Sequence, residues 1–152
     1  MTYRSREEQS TLRARDGNIG GTWILLHTIF VSQEFDMRYL LSWHIREDEL
    51  RQRSPAWREE IVAFLAQFED ELFVNSELDW VEVLDPESQA IVVGPGEEVR
   101  PGFYNEGGKP SARIWVVRVE SRDRAVEIAA KFAGQLDTWI EVRECLQGAQ
   151  RP

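Results

Sequence analysis

Histidine is the side chain that changes charge near neutral pH, and the chain has only two, His27 and His44. His44 ends a predicted strand beside a charged segment, where pockets of open sheets often form and where a general base could act. The alternative is a surface histidine at a strand end. His27 stands within an apolar run, which favours a structural histidine with a hydrogen-bond partner.

Asp79 is the second candidate base, because it lies between Leu78 and Trp80 in a predicted strand. Burial beside that indole would raise the pKa of its carboxyl group and suit it to proton transfer. The alternative is a strand residue that faces solvent. The acidic runs at 47–49 and 69–71 are typical of solvated surfaces, and their spacing does not specify a metal cage. We therefore expect neither a metal nor a cofactor.

Aromatic residues are the remaining signal for binding, since the chain has six tryptophans. Rings around a concave space suit an apolar or planar ligand, and an arginine beside them would pair with an anionic group. The sequence predicts such a site from five residues: Trp43, Trp57, Arg100, Phe103 and Tyr104. The alternative is that the tryptophans fill the core and a subunit interface.

Hydrophobic periodicity predicts the elements that must position these residues. Strands are expected at 37–44, 78–84, 112–119 and 138–145. Ser54 and Ser121 have the side chains of N-caps, and the second of these helices should end at Gly134. A short strand at 90–93 is predicted to return as a hairpin partner of 78–84. The segments 46–53 and 94–111 are predicted to be a charged connector and a long, glycine-rich loop.

This order predicts an α+β fold, a ferredoxin-like split βαβ antiparallel sheet with two helices on one face. Both alternating sets of strand residues contain large apolar side chains, such as Trp80 on one set and Val81 on the other. One helix layer covers only one face, and the other would expose a patch larger than soluble monomers tolerate. The sequence therefore predicts a homodimer packed sheet to sheet through the open face.

Composition limits the partners and the compartment. The net charge of −9 disfavours nucleic acid and anionic membranes. The apolar run at 23–31 has about half of the roughly 20 residues that cross a bilayer. A single cysteine, Cys145, excludes an internal disulfide and favours the cytoplasm. We predict an N-terminal extension at 1–36 with an extra strand at 22–31, a domain at 37–146 and a tail at 147–152. The alternative to the extra strand is a mobile tail whose apolar patch docks loosely.

Four segments carry a resemblance to a known family: Met37-Arg38-Tyr39-Leu40-Leu41, the helix at 60–72, Arg118-Val119-Glu120-Ser121 and Ile140-Glu141-Val142-Arg143. They resemble the first strand, first helix, second βα unit and closing strand of the YCII-related family, whose members include proteins with an Asp-Gly-Pro-Phe motif. The resemblance covers about the last three-quarters of the chain. It implies a small dimeric α+β barrel protein.

The chain departs from that family at the positions proposed to carry chemistry. Trp57 stands where one type of member has a histidine near the start of the first helix. Arg100-Pro101-Gly102-Phe103 stands where the other type has Asp-Gly-Pro-Phe. Because neither indole nor guanidinium can act as a base, we predict a non-catalytic domain that binds a small molecule or a protein. The alternative is a small isomerase, lyase or dehalogenase that uses His44 or Asp79 as base and Arg100 as anion anchor.

Overall fold

The computed structural model describes residues 37–146. The strands are β1 (Met37–His44), β2 (Leu78–Val83), β3 (Ile91–Val93), β4 (Val99–Pro101), β5 (Ser111–Val119) and β6 (Ile140–Glu144). The helices are α1 (Glu47–Gln52), α2 (Pro55–Val74) and α3 (Arg122–Leu136). The predictions for 1–36 and 147–152, including the strand at 22–31 and the role of His27, lie outside the described residues.

The long strands form one four-stranded antiparallel sheet in the order β2-β5-β1-β6. β1 lies inside the sheet, so that Leu41 has Trp115 of β5 as its partner on one side and Val142 of β6 on the other. The predicted mixed α+β fold with an antiparallel sheet is thereby confirmed. Within residues 37–146, none of the helices is long and apolar enough to cross a membrane.

Helices α2 and α3 pack on the same face of this sheet. Phe132 of α3 stacks on Trp115 with ring centroids 4.1 Å apart, and Phe68 of α2 meets the Phe132 ring at 4.9 Å. Trp115 also donates its indole N–H to Glu69 of α2. The prediction that 69–71 is a solvated surface is therefore wrong at Glu69, which points into the helix–sheet contact.

Local capping chemistry sets the helix starts as the sequence predicts. The Ser54 hydroxyl accepts a hydrogen bond from the backbone N–H of Trp57 at 3.1 Å, and the Ser121 hydroxyl accepts one from that of Arg124 at 3.2 Å. The end of α3 differs from the prediction. The helix continues past Gly134 and ends where Asp137 adopts a left-handed conformation with φ of 51°.

Two connecting segments contain elements that the sequence analysis did not predict. The charged connector at 46–53 holds α1, which is helical because Leu50 packs against the core. The strand β3 pairs with β4, inside the predicted loop at 94–111, and does not pair with β2. A turn closes this hairpin, with Gly96 at φ of 78° and the Gly94 N–H donating to the Glu98 carbonyl.

No helix of residues 37–146 packs on the opposite face of the sheet. Leu40 and Trp80 flank Val116 there and form a central apolar strip, in which Trp80 is 41% exposed, Leu40 is half-buried and Val116 is buried. Charged side chains lie on either side of it. The second face is thus apolar in its centre, as the sequence predicts, and polar toward its ends.

Candidate ligand-binding site

A cavity of about 440 Å³ lies beside His44 at the carboxyl end of β1. Its apolar wall consists of Leu84, Ala90, Phe103, Tyr104 and Pro110. A volume of this size lies within the range that small-molecule sites occupy. The predicted long loop therefore does border a cavity, although part of that loop forms β4.

Arg46 holds this loop against the sheet. Its Nη2 donates to the carbonyl oxygens of Glu106 and Gly108, both at 2.6 Å, and its guanidinium lies 5.4 Å from the centre of the Phe103 ring. Its Nη1 lies 3.5 Å from Oε1 of Glu87. Arg46 was not among the residues predicted for this site. The signal for it was an arginine two residues after a strand, in a chain whose glycine-rich loop has backbone carbonyls that need donors.

The His44 ring lines the cavity and is held from two sides. Its Nδ1 lies 3.3 Å from the carbonyl oxygen of Lys109, which belongs to the loop. Its Nε2 lies 3.2 Å from Oε2 of Glu141 on β6, without the alignment of a hydrogen bond. Both ring nitrogens thus face acceptor oxygens of the protein, so the ring is positioned as a wall of the cavity.

Asp79 lies at the other end of the sheet. Its carboxylate accepts hydrogen bonds from Arg38 at 2.8 Å and from Arg118 at 3.0 Å. These arginines are partners at one end of the β1–β5 ladder, and His44 pairs with Ser111 at the other end. His44 lies six positions after Arg38 along the strand, a distance of roughly 20 Å. The structure therefore does not bring the two candidate bases together.

The environment of Asp79 also opposes the expected raised pKa. Partial burial acts to raise the pKa of this carboxyl group, but the hydrogen bonds and charges of Arg118 and Arg38 outweigh burial and lower it. The hydrogen bond from Arg124 likewise lowers the pKa of Glu77, against a smaller opposing effect of burial. A carboxyl group held ionised in this way is a structural ion-pair partner.

These two carboxylates predict how stability depends on pH. Because their folded-state pKa values lie below those of the unfolded chain, their stabilisation is present near neutral pH and is lost as the pH falls below about 4. We expect Glu77→Gln to lose less stability than the wild type between about pH 6 and pH 3 in urea unfolding. Glu60→Gln, at an exposed position, should behave as the wild type does. Equal acid sensitivity of all three proteins would contradict the prediction.

Of the five predicted ligand-binding residues, Phe103 and Tyr104 line the cavity. Trp43 is buried against the helix layer, because neighbouring residues of a strand point to opposite faces and His44 takes the other one. Trp57 is half-buried on α2 under the guanidinium of Arg53, at 4.9 Å. Arg100 lies on β4 and donates to Glu106 at 2.6 Å, away from the cavity wall.

The described residues offer no alternative centre for metal chemistry. Within 37–146, no group of three or more histidine, cysteine, aspartate or glutamate side chains could hold a metal ion.

No protein-family model matches the chain, and no curated protein matches it either. The resemblance to the YCII-related family thus stays a prediction that depends on the segments quoted above.

Proposed function

We propose that this chain is a non-catalytic binding protein for a small, largely apolar molecule. The observation that carries the proposal is the cavity of about 440 Å³ whose wall combines Leu84, Phe103 and Tyr104 with the edge of His44. A binding role is supported over acid–base catalysis by the separation of His44 from Asp79. It is supported further by the arginines that hold Asp79 ionised.

A cavity-filling substitution tests this function. We expect Ala90→Trp to weaken binding of the neutral dye Nile red by about tenfold or more, because the indole would occupy the space of the ligand. Dye fluorescence titrated against the full-length protein measures the affinity. Ala66→Trp, at an exposed position of α2, is the matched control and should bind as the wild type does. The proposal fails if Ala90→Trp retains the affinity of the wild type, or if the wild type does not bind the dye.

We further propose that the fold is ferredoxin-like, in the manner of the YCII-related proteins. The order β2-β5-β1-β6 supports this arrangement, because the two central strands are the first and third of the four main strands. The position of both helices on one face of the sheet supports it as well. The replaced positions at Trp57 and Arg100 are consistent with a member that binds without catalysis.

The open face supports a second proposal, that two copies pack sheet to sheet. Its centre is the apolar strip of Leu40, Val116 and Trp80. One end carries the two arginines that share Asp79, and the other end carries Glu82 and Glu141. A two-fold axis across the strands would place the arginine end of one copy over the acidic end of the other.

The dimer is tested at Trp80, which is 41% exposed on this face. We expect Trp80→Glu to convert a dimer into a monomer at micromolar concentration, because an ionised carboxylate would be buried in the interface. Sedimentation velocity measures the mass. Phe73→Glu, at a 69% exposed position of α2, should remain a dimer. A monomeric wild type would exclude the proposal.

A further inference from the structure

We propose that the ligand of the His44 cavity carries a cationic nitrogen and that Asp85 is its charge partner. This inference depends on the proposed binding function and names the chemical class of the ligand. Asp85 lines the large cavity and also a neighbouring cavity of about 80 Å³ beside α1. Asp85, an exposed residue, is thus common to the walls of both cavities.

The charges on the wall distinguish Asp85 from the other ionic side chains. Glu87 accepts a hydrogen bond from the backbone N–H of Glu47 at 3.0 Å and lies beside the guanidinium of Arg46. Lys109 donates to Glu49 at 2.6 Å. Asp85 has no hydrogen bond or ion pair with any residue of the described range. The unmatched charge on the wall is therefore negative.

Among residues 37–146, the arginines near this wall are already engaged and leave an anionic ligand without a matching partner. Arg46 donates to two loop carbonyls and contacts Glu87, and Arg100 pairs with Glu106 outside the cavity. A carboxylate ligand would have to displace one of these contacts and approach Asp85. A cationic ligand would gain a charge-assisted hydrogen bond without displacing any.

The aromatic residues fit the same class of ligand. The face of an aromatic ring attracts cations, and the guanidinium of Arg46 already lies over Phe103. Tyr104 lines the cavity and is 87% exposed, so its ring is accessible to a ligand. A ligand with an apolar body and an ammonium group would therefore place the body against Leu84 and the nitrogen near Asp85.

Three probes of similar size share a phenyl group and differ in charge: 2-phenylethylamine is cationic, 2-phenylethanol is neutral and 3-phenylpropionate is anionic. Comparing their affinities separates the contribution of charge from that of apolar contact. Titration of the ¹⁵N-labelled full-length protein, followed by chemical shifts, gives the three dissociation constants. Because Asp85 is exposed, we expect the amine to bind about two- to fivefold more tightly than the alcohol, and the carboxylate more weakly than both. Added salt should reduce the difference between amine and alcohol.

Variants at Asp85 test whether this residue is responsible. Asp85→Asn should abolish the preference for the amine over the alcohol, and Asp85→Lys should make the carboxylate the preferred probe. Asp70→Asn, an exposed carboxylate of α2, should keep the preference of the wild type. Equal binding of amine and alcohol by the wild type would overturn the cationic ligand but leave the binding function intact. Binding of none of the three would overturn both.

Discussion

Replacement of Phe132 by alanine is expected to lower the free energy of unfolding by about 3–5 kcal/mol. The side chain is fully buried and stacks on Trp115, with ring centroids 4.1 Å apart. It also meets Phe68 at 4.9 Å and Phe64 at 6.2 Å, so that it joins α2, α3 and the sheet. Its removal leaves a cavity that none of these rings can fill without losing a contact to another.

Urea unfolding followed by circular dichroism measures this loss. Phe73→Ala is the matched control, because Phe73 is 69% exposed at the end of α2 and its removal should change stability by about 0.5 kcal/mol or less. A loss below about 1 kcal/mol for Phe132→Ala would mean that the ring cluster does not join the layers.

The elements that could be predicted from sequence are those whose signals are local. The strand β1 has the predicted bounds, 37–44, because large apolar residues occupy every second position from Met37 to Trp43. The starts of α2 and α3 follow from Ser54 and Ser121, whose hydroxyl groups act on backbone N–H groups three residues away. Such interactions depend on a few neighbouring residues, and they are present in the sequence before any folding.

The elements that could not be predicted depend on contacts between distant segments. The helix α1 is rich in charge, and only the packing of Leu50 against the core shows why it is ordered. The hairpin of β3 and β4 could not be distinguished from a hairpin of β2 and β3, since both pairings satisfy the same alternation. In the structure β3 pairs with β4 in a separate two-stranded sheet, although β2 lies at an edge of the four-stranded sheet.

The residues of the candidate site also divide into those that local sequence predicts and those whose role depends on distant contacts. His44 follows from its position at a strand end, and Phe103 and Tyr104 follow from the loop. The alternation of apolar residues that ends at Trp43 already placed its side chain with those of Tyr39 and Leu41, and the structure buries it among them. Arg46 and Asp85 could not be identified, since the role of each depends on which charges are matched by residues far away in sequence.

The fold and the site are connected through β5. Ser111 begins this strand and lines the cavity, and its hydroxyl oxygen lies 2.6 Å from that of Ser42 on β1. Two residues later, Arg113 contacts Glu69 of α2. The helix layer therefore fixes the start of β5, and with it one wall of the cavity.

The second large effect is expected at this contact, where Glu69→Ala should cost about 2–3 kcal/mol of folding free energy. Oε1 of Glu69 accepts from Nε and Nη2 of Arg113, at 2.9 and 2.7 Å, and from the indole N–H of Trp115 at 2.6 Å. The substitution leaves a fully buried indole N–H and a mostly buried guanidinium without an acceptor. Urea unfolding measures the loss. Glu71→Ala is the control, because its ion pair with Lys131 is half exposed and should contribute less than about 1 kcal/mol.

A double-mutant cycle with Arg113→Met separates the ion pair from the indole contact. If the two charges stabilise each other, the double variant should lose less stability than the sum of the single variants, because neither charge is then left without its partner. Glu69→Gln keeps an acceptor oxygen for Trp115 and removes the charge, so it should lose less than Glu69→Ala. If the stability losses of the two single variants add up to that of the double variant, Glu69 and Arg113 do not stabilise each other as an ion pair. An equal loss for Gln and Ala would contradict the indole hydrogen bond.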